Sequence, residues 1–552
     1  MKILLLCTTF NSLTQAVYTS LLERGDTVAV AFALDEAQMI EEIEAFGPDL
    51  LLCPFLKRYL PPAIYERYPT FVFHPGPRGD RGPNALEYAL LHHEKRWGSV
   101  WLKANEHYDG GDIYSEAEFS VRPTYKASLY RREVVRSAVE MLEPLFEAVE
   151  KERCIPQILN PLHRAFTQAD RKIDWKSDTT EKIVEKIYLS DSHPGVLDEI
   201  LGVPCYLYGA HREEKLRGEP KALLAKRDGA ICLGTIDGAV WVSHLKEPGR
   251  FKLPATYVLK SRLRGVREHR LPLIFDRSYE TFYEIGVDRD DRVAYLYFNF
   301  HNGAMSSEQC IRLKYAVEYL KDTCDLLVLM GGEDFFSNGI HLNILEESQK
   351  QGEDGWSNIN AMNNLIRSIL FCDEIPTVAS FGRNAGAGGV FLGLACDIVV
   401  AREGVVFNPH YKTLGLSGSE YHTYTLPRRV GKERAQSLLE EALPIGAAQA
   451  KTIGMVDELF PDAGYDERLQ RFCKALIEEE DRYYDLLDAK RDRLEAEEDV
   501  IDACKEAELE RMYPEFWESD SPFHMLRREF VYKLCPRRTP ERLKYPKRIA
   551  HA

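Results

Sequence analysis

The chain of 552 residues is 29% charged, 45% hydrophobic and 11% aromatic, which excludes general disorder and, at ~150 residues per domain, leaves room for three or four domains. Its net charge of −16 repels phosphate backbones and argues against nucleic acid as a partner. No run approaches the ~18 uninterrupted apolar residues of a membrane span, and the apolar start stops at Thr8-Thr9-Phe10-Asn11, too soon for a signal peptide. The expectation is a cytoplasmic protein with no membrane contact.

Lys2–Cys7 reads as a buried strand, and residues 12–24 as a helix with Leu13, Val17 and Leu21 on one face, closed by Gly25. Residues 27–33 form a second strand, Glu36–Phe46 a helix ending at Gly47, and residues 50–54 a third strand. The alternation is a Rossmann-like α/β rhythm. Its first turn, Cys7-Thr-Thr-Phe-Asn-Ser, lacks the GxGxxG of a dinucleotide site. From Arg164 the texture changes to a helix at 180–188 and short runs at 203–208, 222–226, 230–235 and 239–245 with Asp-Gly turns, the pattern of a small OB-like β-barrel. Residues 248–288, rich in Arg and Pro, read as a linker wrapping the surface.

A second α/β pattern starts at Arg292, with a strand at 293–300, a helix at 307–320 and a strand at 326–330. Residues 466–512 read as charged amphipathic helices with solvated faces. The expected division is therefore 1–163, 164–270, 271–465 and 466–552, an α/β multidomain chain with a helical C-terminus and basic tail. None of the twelve cysteines falls in a CxxC, and no HExxH is present, so free buried thiols and no metal site are expected.

Two places carry chemistry. The strand Phe71-Val-Phe-His74 runs into a Pro/Gly turn, and His107-Tyr-Asp109-Gly-Gly follows another strand at 99–104. A histidine and an aspartate brought together at strand ends orient each other and handle a proton in acyl transfer. Taken alone, they fit a solvated histidine and a capping aspartate better. The second place is a pair of Gly-rich strand-to-helix turns, Gly331 to Ile340 and Gly382 to Gly389. Such turns expose backbone N–H groups, and two facing each other can pinch one thioester oxygen.

Residues 1–247 resemble the N10-formyltetrahydrofolate-dependent formyltransferases: His74 matches their histidine, Arg81-Gly82-Pro83 their folate-side loop and Asp109-Gly110 their aspartate turn. Their asparagine two places before the histidine, which helps hold the formyl oxygen, is Val72 here. Losing such a donor typically costs ~2.7–4 kcal/mol, so another donor replaces it, or the acceptor is more reactive than an amine. Residues 293–462 resemble the crotonase (enoyl-CoA hydratase/isomerase) superfamily, which implies an oxyanion hole from the N–H groups of Ile340 and Gly388. The two hydratase carboxylates are Phe391 and His410 here, so water addition by that route is not expected. The replacement chemistry is expected in Tyr411, Glu420 and Tyr421, with Glu420 as base; a helix-start carboxylate is the alternative for Glu420. For His341 and His410, packing of the turns is the expected role.

The fusion of these halves, with Gly79-Asp-Arg-Gly-Pro83, Ser128-Leu-Tyr-Arg131, Asn302-Gly-Ala-Met305, Gly418-Ser-Glu-Tyr421 and Phe530-Val-Tyr-Lys533, resembles the HypX/HoxX family of [NiFe]-hydrogenase maturation. The resemblance implies formyl transfer from N10-formyltetrahydrofolate to coenzyme A, then decarbonylation of formyl-CoA to carbon monoxide for hydrogenase maturation proteins. His74 and Asp109 would serve the first step; Ile340, Gly388, Glu420 and Tyr411 or Tyr421 the second. Arg131 and the basic tail, Arg542 included, are the candidate anchors for the CoA phosphates; a disordered tail is the alternative. An internal passage shielding formyl-CoA from water is expected. A formyl-CoA hydrolase and a non-catalytic maturation scaffold are the competing readings.

Overall fold

The computed structural model describes residues 1–547. The chain divides into two compact units. Among the described residues the first holds 1–269, 278–282 and 536–547; the second holds 270–277 and 283–535. The expected last segment, 466–552, is thus divided between them.

The first unit opens with β1 (Lys2–Cys7), α1 (Ser12–Glu23), β2 (Thr27–Phe32), α2 (Glu36–Phe46), β3 (Leu50–Cys53), β4 (Thr70–His74), β5 (Arg96–Lys103) and β6 (Ile113–Ser120). They form one sheet in the order β2-β1-β3-β4-β5-β6, parallel through β4 and antiparallel beyond it. β1, apolar after Lys2, and the all-apolar β3 are buried along nearly their whole length, as central parallel strands require. Asn11 and Asp35 cap α1 and α2 through side-chain acceptors, and Gly47 ends α2 in the left-handed conformation, so both helices stop where their sequence signals stand. The carboxyl end of β4 is His74, at the edge where α/β sheets gather ligands.

A second sheet follows, built from β7 (Val196–Ile200), β8 (Val203–Glu213), β9 (Leu223–Arg227), β10 (Ala230–Gly234), β11 (Ala239–Lys246) and β12 (Leu253–Pro254). Its order is β7-β8-β11-β10-β9, all antiparallel, with β12 on β11; no pairing among the described residues joins β7 to β9, so the path is open rather than a closed barrel. The supposed linker 248–288 is not simply surface chain. Phe251, Leu253, Ala255, Val258 and Leu259 are buried, because its apolar residues form β12 and the helix Ala255–Leu259. The basic tail is also ordered over its described part. Thr539 Oγ1 accepts the Phe32 N–H at 2.8 Å, and Lys547 exchanges two backbone bonds of 2.9 Å with Val28, which caps the exposed edge of β2. Arg548, the last cation of that tail, lies outside the described residues.

The second unit contains β13 (Ile285–Asp290), β14 (Val293–Phe298), β15 (Leu326–Gly331), β16 (Thr377–Phe381), β17 (Ala385–Gly386), β18 (Ile398–Arg402), β19 (Val406–Asn408), β20 (Ile445–Gly446) and β21 (Glu458–Phe460). Its main sheet runs β13-β14-β15-β16-β18-β21, parallel apart from β13, and β17-β19-β20 form a small second sheet. One face of the main sheet buries Val293, Val328 and Val400 against Leu469, Cys473 and Leu476 of the helix Tyr465–Glu478. The 38-residue helix Glu480–Trp517 is rich in Ala, Glu, Leu, Lys and Arg, strong helix formers. Its buried face is not purely apolar: Lys490 and Glu508 are buried with Leu494, Ile501 and Met512. Among the described residues no helix is long and apolar enough to cross a membrane.

Candidate active sites

In the first unit, β4 delivers His74 to a cavity of about 450 Å³ whose wall includes Phe55, Val72, Tyr108, Asp109 and Tyr130. The His74 ring is buried between two carboxylates. Its Nε2 lies 2.7 Å from Asp80 Oδ2, and its Nδ1 lies 3.5 Å from Asp109 Oδ1. Asp109 sits at φ +48°, and the Gly82 N–H holds its Oδ2 at 2.9 Å. The structure thus joins the predicted pair and adds Asp80.

Arg81 reaches the same loops by another route. Its Nε and Nη2 donate to the Tyr108 carbonyl and its Nη1 to the Asn160 carbonyl, at 2.9–3.1 Å. It therefore staples the two loops that flank the histidine. Val72 brings no side-chain donor to the cavity wall. Tyr130 does: burial pushes its phenol well above the ordinary range, so it stays protonated, and its oxygen accepts from Asn11 Nδ2 at 3.4 Å. Tyr130 and Arg131 open a π-helical turn, Tyr130–Val134, a local distortion often found at functional sites. Arg542 lies on the short helix Glu541–Lys544 near Tyr18 of α1, where burial pulls its guanidinium below the usual value.

In the second unit the two Gly-rich turns touch. Met305 and Ser337 bridge to Ile340 and Ala385, and a Cβ on Gly339 would come within 3.0 Å of the Gly388 nitrogen. Gly388 begins the helix Gly388–Leu394, so its N–H has no intrahelical acceptor. A Cβ on Gly388 would lie 2.5 Å from Glu420 Oε1. Only glycine lets that carboxylate lie over the helix start.

Glu420 is wholly buried and accepts from the Tyr411 hydroxyl at 2.5 Å and the Ser419 N–H at 3.2 Å. Burial pushes its carboxyl above the ordinary value, and the Tyr411 hydroxyl pulls back against that. Burial, with Glu420 beside it, lifts the Tyr411 phenol well above its usual value. The Tyr411 ring stacks on Phe391 with centroids 5.5 Å apart and planes 11° from parallel, so the residue standing at the hydratase carboxylate position supports the tyrosine. Tyr421 faces a different charge environment of Arg367, Asp502 and Glu508. Tyr411 is therefore the tyrosine that reaches Glu420.

Glu420 and Tyr421 are consecutive left-handed residues, at φ +66° and +55°, a conformation that costs of order 1–3 kcal/mol per residue. Both amides are held from a distance in sequence: Glu420 N–H by Asn363 Oδ1 at 2.9 Å, and Tyr421 N–H by Glu508 Oε2 at 3.0 Å. Glu508 also accepts the Thr423 N–H and hydroxyl at 2.8 and 2.6 Å, a carboxylate at the start of the helix His422–Val430. Hydrogen bonds to charged groups contribute about 1.5–3 kcal/mol each, enough to offset much of the strain. Asn363 and Glu508 escaped the sequence reading, since nothing separates them from other polar residues of their helices. His341 caps the helix Leu342–Glu347 through Nδ1, burial drawing it down to about 4, and His410 Nδ1 lies 2.6 Å from the Asn408 carbonyl. Both hold turns.

Residues 165–263 match the C-terminal domain of formyl transferases, and residues 291–519 match the enoyl-CoA hydratase/isomerase family. The hydrogenase maturation factor HoxX of Bradyrhizobium diazoefficiens is 36% identical over 552 residues, covering 98% of this chain and 96% of that protein. The chain belongs to the HypX/HoxX family of hydrogenase maturation factors. The crystal structure of HypX from Aquifex aeolicus in complex with tetrahydrofolic acid resembles it at 41% identity and a TM-score of 0.95, over 98% of both chains. 4-Chlorobenzoyl coenzyme A dehalogenase-2 of an Arthrobacter species is 26% identical over 241 residues, 43% of this chain and 86% of that protein. Two of the HypX/HoxX landmarks, Gly79 to Pro83 and Gly418 to Tyr421, fall on the two sites described above.

Proposed function

We propose that this HypX/HoxX member makes carbon monoxide for hydrogenase maturation, moving a formyl group from N10-formyltetrahydrofolate to coenzyme A and then splitting formyl-CoA into CO and CoA. The observation that carries the reading is the buried Tyr411–Glu420 pair laid over Gly388, where a thioester oxygen would be pinched. The tetrahydrofolic acid held by the Aquifex relative supports the folate half.

In the first step Nδ1 of His74 takes the CoA thiol proton, and the thiolate adds to the formyl carbon. The imidazolium so formed faces the developing oxyanion. Tyr130 is the wall donor proposed to stand in for the amide missing at Val72. Asp109 passes the proton to N10 as the carbon–nitrogen bond breaks. A thiolate outcompetes an amine as nucleophile near neutral pH, so it tolerates a weaker oxyanion hole. Arg131 and Arg542 are proposed to hold the nucleotide phosphates.

In the second step the N–H groups of Ile340 and Gly388 hold the formyl oxygen. Glu420 removes the formyl proton while the carbon–sulfur bond breaks. Tyr411 gives its proton to sulfur and recovers one from Glu420, so the pair returns to its starting state with one proton moved from carbon to sulfur. CO is then free for the proteins that assemble the hydrogenase iron centre.

Anaerobic incubation of the protein with N10-formyltetrahydrofolate and CoA, with reduced myoglobin as CO trap, tests the whole reading. CO dependent on both substrates is expected. Tetrahydrofolate release with formate and no CO would replace the second step by hydrolysis.

A further inference from the structure

The loop after His74 carries an aspartate that the proposed chemistry has not used. Asp80 is buried, and both its oxygens are occupied: Oδ2 by His74 Nε2 and Oδ1 by His163 Nε2, each at 2.7 Å. Its own N–H donates to the Pro77 carbonyl at 2.9 Å, closing the turn that carries it. The packing is built around this contact. A Cβ on Gly76 would fall 2.1 Å from Asp80 Oδ2 and 2.5 Å from His74 Nε2, so any other residue there would push the pair apart.

The far side of the clamp is the irregular segment after Ile155, tethered by two 2.8 Å backbone bonds between Ile155 and Ile113. Gln157, Asn160 and His163 recur every third residue along it, a spacing that places side chains on one face of an extended three-per-turn chain. All three grip the active-site loops. Gln157 accepts the Gly79 N–H and donates to the Asp109 carbonyl, Asn160 donates to the Gly79 carbonyl, and His163 takes Asp80. His163 also stacks on Tyr88 with centroids 4.1 Å apart.

We propose that Asp80, clamped by His163, is the positioning residue of the formyl-transfer site. A carboxylate only accepts, so the Nε2 of His74 carries the hydrogen and Nδ1 is left as the working atom, beside Asp109. Asp80 then also stabilises the imidazolium when Nδ1 is protonated, the part an aspartate plays behind a catalytic histidine. This inference rests on the formyl-transfer reading above.

The test uses the full chain, following tetrahydrofolate released from N10-formyltetrahydrofolate with CoA, tetrahydrofolate affinity by calorimetry, and the far-downfield imidazole N–H proton by NMR. Asp80→Asn is expected to lower kcat at least about a hundredfold, by the wrong-tautomer effect, with KM and tetrahydrofolate affinity nearly unchanged. A downfield proton on His74 Nε2, absent in His74→Gln, should vanish in Asp80→Asn. His163→Ala should lower kcat and His163→Gln, which can still donate to Asp80, should restore most of it; this pair carries the test if Asp80→Asn does not fold. Unchanged kcat in Asp80→Asn, or a wild-type proton on Nδ1 instead of Nε2, overturns the proposal. If the Nε2 proton is present but no tetrahydrofolate is released by the wild type, formyl transfer falls and the pairing stands.

Discussion

On the proposed reading the two sites solve one problem, holding a carbonyl while moving a proton, with opposite materials. In the first unit the working histidine is flanked by two aspartates on loops that line an open cavity. In the second, one carboxylate is wholly buried and paired with a phenol whose ring stacks on Phe391. The first is built by short loops near one another in sequence and one extended segment. The second depends on a strained turn whose amides are held by Asn363 and Glu508, from helices far along the chain. The contrast fits the proposed tasks. Transfer between a folate and a thiol must admit two large substrates, whereas abstracting a formyl proton needs a carboxylate made more basic by losing its water.

The sharpest way to break the comparison is to disable each site alone. Glu420→Gln should lower CO release from supplied formyl-CoA by about 10²–10⁴-fold, the usual contribution of a general base, while tetrahydrofolate release continues and formyl-CoA accumulates. His74→Gln should do the reverse. Loss of both activities in either variant would show that the sites are not separate.

A smaller effect separates the tyrosine from the carboxylate. In the proposed role Glu420 is a base only when ionised, and burial holds its carboxyl above the ordinary glutamate value. The rate of CO release should therefore fall as pH drops through that raised value, at higher pH than for an exposed glutamate. The Tyr411 hydroxyl pulls the carboxyl down, so Tyr411→Phe should move the acid limb of the pH profile upward as well as slow the reaction. A limb that stays put would remove Tyr411 from the pair.

The smallest effect is expected at Val72. If Tyr130 already supplies the donor, Val72→Asn should change formyl transfer to CoA by far less than the about 10²–10³-fold that a missing oxyanion donor costs, while Tyr130→Phe should slow it. A large gain in Val72→Asn would show the amide position to be the weak point of the first site.

Much of the fold was legible because local signals agree with tertiary need. The apolar run Lys2–Cys7, the capped Glu36–Phe46 and its Gly47 stop stand where periodicity and capping place them. The meeting of His74 with Asp109 was foreshadowed by their strand-end turns, and that of Tyr411 with Glu420 only through the resemblance to the crotonases. The residues that hold them were not. Asp80 reads as one more charge in a turn, and His163, Asn363 and Glu508 as ordinary polar residues until the chain folds. The run 248–288 misled in the same way: its Arg and Pro content hides apolar residues that find a core only beside β11.

The sequence by itself therefore determined the α/β rhythm of both halves, the antiparallel strands between them and the residue types that stand at the turns of the two candidate sites, because each depends on neighbours within a few positions. Only the tertiary structure decided which tyrosine reaches Glu420, which nitrogen of His74 is taken by Asp80, and that a basic tail caps the edge of β2. Those choices rest on hydrogen bonds and burial between residues far apart in the chain, and composition and spacing carry no record of which distant partners will meet.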